Sequence, residues 1–180
     1  MIRIADIDGQ RLNFPDGWDV ATYDKLRFYK NHFQSFAGGV KGLDVVAISP
    51  DKVCWLIEVK DYRQHKRTKL GTVFAETAAK ILATLAGLAA ARVRSYDSIE
   101  KSFADKALKT KSFRVVLCID QPQHNSRLFQ QIINPQTAHI KLQQAVRVID
   151  PHARCSGAGV ADIALPWTTT RPNQLQQAPA

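Results

Sequence analysis

The stretch from Gly42 to Arg63, GLDVVAISPDKVCWLIEVKDYR, constrains the fold more than any other part of the chain. It reads as two apolar strands joined by a tight turn near Pro50-Asp51-Lys52. Asp44 opens the first strand, and Glu58 and Lys60 close the second at i and i+2. Side chains two apart on a strand point to one face, so a carboxylate and an amine stand together near a sheet end. The flanking Val53, Trp55, Leu56 and Ile57 mark the second strand as central and buried. Charges rarely occupy such a strand without a partner or a metal.

Turn length decides whether Asp44 joins that pair. A loop of two or four residues sends Asp44 to the face opposite Glu58. A three-residue loop, Pro50-Asp51-Lys52, places Asp44 directly across from Glu58. Opposite residues have Cβ atoms about 4.5–5.5 Å apart, close enough for two carboxylates to share one cation. The three-residue register, or a bulge equivalent to it, is the expected one. Carboxylates that close repel unless a cation or a proton intervenes. An oxygen-only pair suits Mg²⁺ or Mn²⁺ with water completing the shell, and Lys60 stands beside those waters.

Asp44 followed by Glu58-Val59-Lys60 on a hairpin resembles the signature of the PD-(D/E)XK nuclease superfamily. Strand and helix order resembles it from Trp18 to Asp120, and three residues carry the chemistry. Leu43 rather than proline precedes Asp44, and the preceding segment offers Asp19 and Asp24 where many members place a Glu. The resemblance implies an α/β, restriction-endonuclease-like fold with a central mixed β-sheet flanked by helices. It implies a metal-dependent nuclease hydrolysing DNA, endonuclease before exonuclease. Asp44, Glu58 and the backbone carbonyl of Val59 would hold the metal, which lowers the pKa of its water. Lys60 would orient or deprotonate the nucleophile, or stabilise developing charge. Asp24 is a candidate auxiliary acid, although an exposed Asp is the commoner reading. Glu76 and Lys80 are candidate auxiliary residues of the next helix, with a surface pair at i, i+4 the favoured reading. The alternative function is a catalytically inactive nucleic-acid-binding or assembly subunit on the same fold.

The charge balance agrees with a polyanionic partner. Lys and Arg number 25 against 16 Asp and Glu, a net +9, which favours nucleic acid, DNA first. Lys41 precedes Asp44, and Arg63, His65, Lys66, Arg67 and Lys69 follow Lys60. These are the candidate phosphate contacts, which position a duplex without reading its sequence; a solvated basic loop is the alternative. Cutting two strands makes a homodimer plausible. No apolar run approaches transmembrane length, and Met1-Ile2-Arg3 leads directly into polar sequence, so neither a membrane nor a signal peptide is expected. Three scattered cysteines, Cys54, Cys118 and Cys155, without zinc spacing, fit buried thiols in a reducing cytoplasm.

The remaining chain reads as one domain over 1–165. Ile2 to Phe14 is a candidate hairpin turning at Asp8-Gly9. A helix is expected from Asp16 or Gly17 to Phe36, with Val20, Tyr23, Leu26, Tyr29, Phe33 and Phe36 facing the core. The clearest helix spans Val73 to Arg94, with Phe74, Ala78, Ile81, Leu82, Leu85, Leu88 and Ala89 as its apolar stripe. A helix over Asp97–Lys109, a buried strand over Phe113–Asp120, and helices over Ser126–Asn134 and Gln136–Gln144 follow. A strand over Ala145–Asp150 and an edge strand over Ala161–Leu165 complete the expected order. From Pro166 the composition turns to Thr, Pro, Gln and Ala, which predicts a poorly ordered tail over 166–180.

Overall fold

The computed structural model describes residues 3–63, 72–122, 133–157 and 164–170. Strands β1 (Arg3–Ile7) and β2 (Gln10–Phe14) form an antiparallel hairpin. Its two-residue turn, Asp8-Gly9, has φ of 46° and 74°. Asp and Gly tolerate those values, and such turns match the twist of the flanking strands.

A second, five-stranded sheet positions the site. Its order is β3 (Asp19–Thr22), β4 (Val45–Ile48), β5 (Val53–Asp61), β6 (Ser112–Asp120), β7 (Arg154–Ser156). The pairs β3–β4 and β4–β5 are antiparallel, and β5–β6 and β6–β7 are parallel. Parallel neighbours need long crossovers. Helices α1 (Val73–Arg94) and α2 (Ser98–Leu108) lie between β5 and β6, and α3 (Pro135–Val146) lies between β6 and β7. The architecture is therefore mixed α/β, with two sheets and several helices.

Alternation along β4 and β5 divides the interior in two. Val46, Leu56, Ile81, Leu88, Leu117 and Leu142 pack between sheet and helices. Leu12, Phe14, Val45, Ile57, Val116 and Trp167 pack between the two sheets. Helix α1 is capped by Thr72, whose side chain accepts a hydrogen bond from Ala75 N–H at 3.1 Å. It buries Phe74, Thr77, Lys80, Ile81, Thr84, Gly87 and Leu88 while Leu82 and Val93 face outward. At Gly87 a Cβ would stand 2.0 Å from the Tyr23 hydroxyl, so glycine is what lets α1 pack against Tyr23 there.

Several expectations are corrected. The helix expected up to Phe36 is instead β3, then helical turns at Tyr23–Lys25, Tyr29–Phe33 and Phe36–Gly38. Asp19–Thr22 carries β-branched Val20 and Thr22 and gains a full register of pairing with β4, which outweighs a single apolar helical stripe. Tyr23, Tyr29 and Phe33 are buried as expected, but Phe36 is 61% exposed. The strand expected at Ala145–Asp150 gives way to the end of α3. Ala138, Leu142 and Val146 recur every four residues and all are buried, a helical spacing. The expected helix over 126–134 and strand over 161–165 fall largely outside the described residues.

The tail boundary also moves. Trp167 is buried against Phe14 and Trp55, with ring centroids 5.2 Å from each, and β8 (Thr168–Thr170) pairs with β2. A tryptophan supplies the apolar anchor that the surrounding Thr and Pro lack. Residues 171–180 lie outside the described residues. Finally, α1 is long and apolar enough to cross a membrane by length and composition, with an 18-residue window of mean hydropathy 1.5. This differs from the expectation because Lys80 interrupts the run when read as sequence. In the fold Lys80 is buried and paired, and 44% of that window is buried within the protein.

Candidate functional site

The β4–β5 loop has three residues. Ile48 pairs with Cys54, Ser49 N–H donates to Val53 C=O at 3.0 Å, and Lys52 takes φ of 64° to close the turn. Val45 pairs with Ile57, so Asp44 is next in register opposite Glu58. Asp44 shares the helix-side face with Val46, and Glu58 shares it with Leu56.

Four charged side chains converge there. Glu58 is fully buried, and its Oε1 accepts from Lys80 Nζ at 2.5 Å and from the Lys60 ammonium. Lys80 Nζ also lies 3.7 Å from Asp44 Oδ1. The other Asp44 oxygen, Oδ2, accepts from Val59 N–H at 2.7 Å. The cluster therefore balances two carboxylates with two ammonium groups. Burial pushes Glu58 up to about 7, with the Asp44 charge adding to the rise, while Lys80 and Lys60 pull it back. Burial works against the Lys60 ammonium, but Glu58, with Asp44 and Glu76 behind it, holds its pKa above the ordinary lysine value.

The backbone around Asp44 is tied from three sides. Leu43 N–H donates to Thr84 Oγ1 at 2.8 Å, one helical turn beyond Lys80. Tyr23 N–H donates to Asp44 C=O at 2.9 Å. Gly42 N–H donates to the Tyr29 hydroxyl at 3.0 Å, and that hydroxyl donates to Val40 C=O. Helix α1 and the β3–β4 connection thus hold the carboxylate in place, the supporting shell that a precise site requires.

The other candidates divide. Lys80 belongs to the cluster rather than to a surface pair with Glu76. Its signal was its place at 3–4 spacing between Thr77 and Thr84, both on the buried face. Glu76 lies near enough to raise the Lys60 pKa. Asp24 is exposed in the Tyr23–Lys25 turn and is not part of the cluster. Val59 engages the cluster through its N–H, which donates to Asp44 Oδ2. Lys41 is exposed. Arg63 is committed to Asp61 through two hydrogen bonds, Nε to Oδ1 at 2.9 Å and Nη2 to Oδ2 at 2.6 Å, and its Nε stands 3.9 Å from Asp120. His65, Lys66, Arg67 and Lys69 lie outside the described residues.

The donor set admits a hard cation only with outside help. Glu58 Oε2 is buried with no hydrogen-bond partner among the described residues, and Asp44 Oδ1 has only the 3.7 Å lysine contact. Among the described residues no group of three or more His, Cys, Asp or Glu side chains could hold a metal. An ion on this pair would therefore draw most of its ligands from water or from a phosphate.

No protein-family model matches the chain, and no solved structure matches it. The chain is similar to a cysteine–tRNA ligase of Neisseria meningitidis, 28% identical over 158 residues. The match takes in 70% of this chain and 22% of the ligase, so the chain spans about a fifth of that relative. This finding corrects the expectation of a metal-dependent nuclease cutting DNA, whether endonuclease or exonuclease. The similar protein is an enzyme named as a ligase of cysteine and tRNA, not as a hydrolase of DNA.

Proposed function

We propose that this chain is a tRNA-directed segment of a tRNA-ligase-like enzyme, built on a restriction-endonuclease-like scaffold whose Asp44–Glu58 end meets the RNA backbone. The observation that carries this reading is the similarity to a cysteine–tRNA ligase over 70% of the chain. The net charge of +9 supports a polyanionic partner. The antiparallel β4–β5 hairpin and the α1–α2 crossover to parallel β6 support the scaffold.

The cluster supplies the contact. Glu58 Oε2 and Asp44 Oδ1 are the oxygens open to Mg²⁺ or Mn²⁺, which when bound would place positive charge against a phosphate. Lys60 and Lys80 oppose the rise that burial gives the Glu58 pKa. Val59 N–H orients Asp44. Lys41, exposed just before Asp44, extends the positive surface. The test is competition for fluorescently labelled tRNA followed by anisotropy at fixed ionic strength. Unlabelled tRNA displaces the probe at lower phosphate concentration than duplex DNA does. Equal or better displacement by duplex DNA overturns the reading.

A further inference from the structure

A second cluster lies on the other face of the sheet. Trp55 is three residues before Glu58, so its side chain stands on the opposite face, toward the three-stranded sheet. Its parallel partner in β6 is Arg114, and β7 brings Arg154 opposite Val116, two residues further along. With Val115, Asp150 and His152 these side chains line a cavity of about 160 Å³.

The chemistry of the lining is one-sided. Asp150 is buried, and its carboxylate is occupied by three donors: Arg114 Nη1 at 3.0 Å, Val115 N–H at 2.8 Å and His152 N–H at 2.9 Å. It fixes Arg114 and the His152 turn and has little accepting capacity left. The Trp55 indole N–H is buried with no partner among the described residues. Arg154 is exposed, and the hydrogen bond its guanidinium makes is a long one to Ala164 C=O at 3.4 Å. Two arginines against one satisfied carboxylate leave net positive charge and, among the described residues, several N–H groups without strong acceptors. That is the inventory of an anion site. The volume lies below the range of about 300–1,000 Å³ that encloses whole small molecules, so the cavity takes one group of a larger ligand.

We propose that the Trp55–Arg114–His152–Arg154 cavity is a phosphate-binding subsite that takes the phosphate group of a nucleotide, with the two guanidinium groups as its recognition elements. It is separate from the Asp44–Glu58 cluster and stands whether or not that cluster meets RNA. The phosphate belongs to a free mononucleotide or to the end of a nucleic-acid strand, which share this chemistry.

The experiment is titration of the full chain with inorganic phosphate, AMP, adenosine, and one short oligoribonucleotide prepared with a 5′-phosphate or a 5′-hydroxyl. Binding is read by calorimetry and by the shift of the Trp55 indole N–H resonance, assigned with Trp55→Phe. AMP and phosphate bind and move that resonance, whereas adenosine does not. Arg154→Met, an exposed position, weakens AMP about 10- to 100-fold, the value of one hydrogen bond to a charged group. Arg114→Met does the same, with circular dichroism confirming the fold. A 5′-phosphate that strengthens the oligonucleotide beyond AMP assigns the site to strand ends; equal affinity assigns it to mononucleotides. The proposal fails if phosphate and AMP show no saturable binding, or if both arginine variants bind AMP as the wild type does.

Discussion

Removing the Lys80 ammonium should show how the buried cluster is held together. In Lys80→Met the chain length and much of the packing survive while the charge is lost. Lys80 Nζ sits 2.5 Å from Glu58 Oε1 and 3.7 Å from Asp44 Oδ1. At an effective dielectric of about 20 those separations correspond to attractions of about 7 and about 4 kcal/mol, before the cost of desolvating the ammonium is subtracted. Breaking one partner out of a buried pair leaves a net loss of about 3–5 kcal/mol. The loss depends on pH, because Glu58 holds its proton up to about 7. At pH 8 the carboxylate is ionised and the full loss appears. At pH 5.5 it is protonated, and the loss falls to what the 3.7 Å Asp44 contact and the altered packing contribute. Urea denaturation of wild type and Lys80→Met at the two values measures the difference. Glu58→Gln supplies the cycle, since in that background Lys80→Met should cost less, and the same at both pH values, with only the Asp44 contact and packing lost. A cost that is the same at both pH values, or unchanged by Glu58→Gln, refutes the coupling.

Three further outcomes follow from the same geometry. Wild-type stability should fall by about 3 kcal/mol between pH 5 and pH 8 through Glu58, read by urea denaturation. The sign follows from its raised pKa: the native state keeps a proton that the unfolded state releases above 4.5, so the contribution is complete below 4.5 and lost as pH rises through about 7. Glu58→Gln should flatten that slope. Gly87→Ala should lower the melting temperature, although alanine in a helix normally gains about 1 kcal/mol, because the added methyl meets the Tyr23 hydroxyl at 2.0 Å. Cys54, Cys118 and Cys155 should resist thiol reagents until urea is added, because burial pushes each thiol up to about 12.

The hairpin was legible because its three-residue loop sets a register, and register decides which face Asp44 takes. The rims of α1 and β6 were legible from apolar patterning, and α1 begins and ends where its pattern does. Which face of α1 is buried was not. That helix is apolar nearly all round, so Leu82 and Ala89 could be assigned inward although both are exposed, and Lys80 could be assigned outward although it is buried. The segment Asp19–Thr22 departs from its helical pattern for a different reason. Four residues carry too little local preference to reveal a strand, and pairing with β4 decides it. Trp167 lay beyond a change in composition, and a single aromatic anchor has no period by which to recognise it. The Asp44–Glu58–Lys60 triple was legible as a cluster, but residue types alone do not separate chemistries. The same two carboxylates can hold a metal or pair with Lys60 and Lys80, and the similarity to a tRNA ligase redirected the functional reading.

The central claim is that the Asp44–Glu58 end of the sheet contacts tRNA with a divalent cation between them. Its most direct test is tRNA affinity of wild type and Asp44→Asn, measured by anisotropy with Mg²⁺ and with chelator at matched ionic strength. Asparagine keeps an acceptor for Val59 N–H, so the backbone around the site is preserved. Mg²⁺ should tighten tRNA binding by the wild type more than by Asp44→Asn, with the two proteins alike in chelator. An equal response to Mg²⁺ in both proteins would contradict the claim, because the ion would then act on the RNA alone.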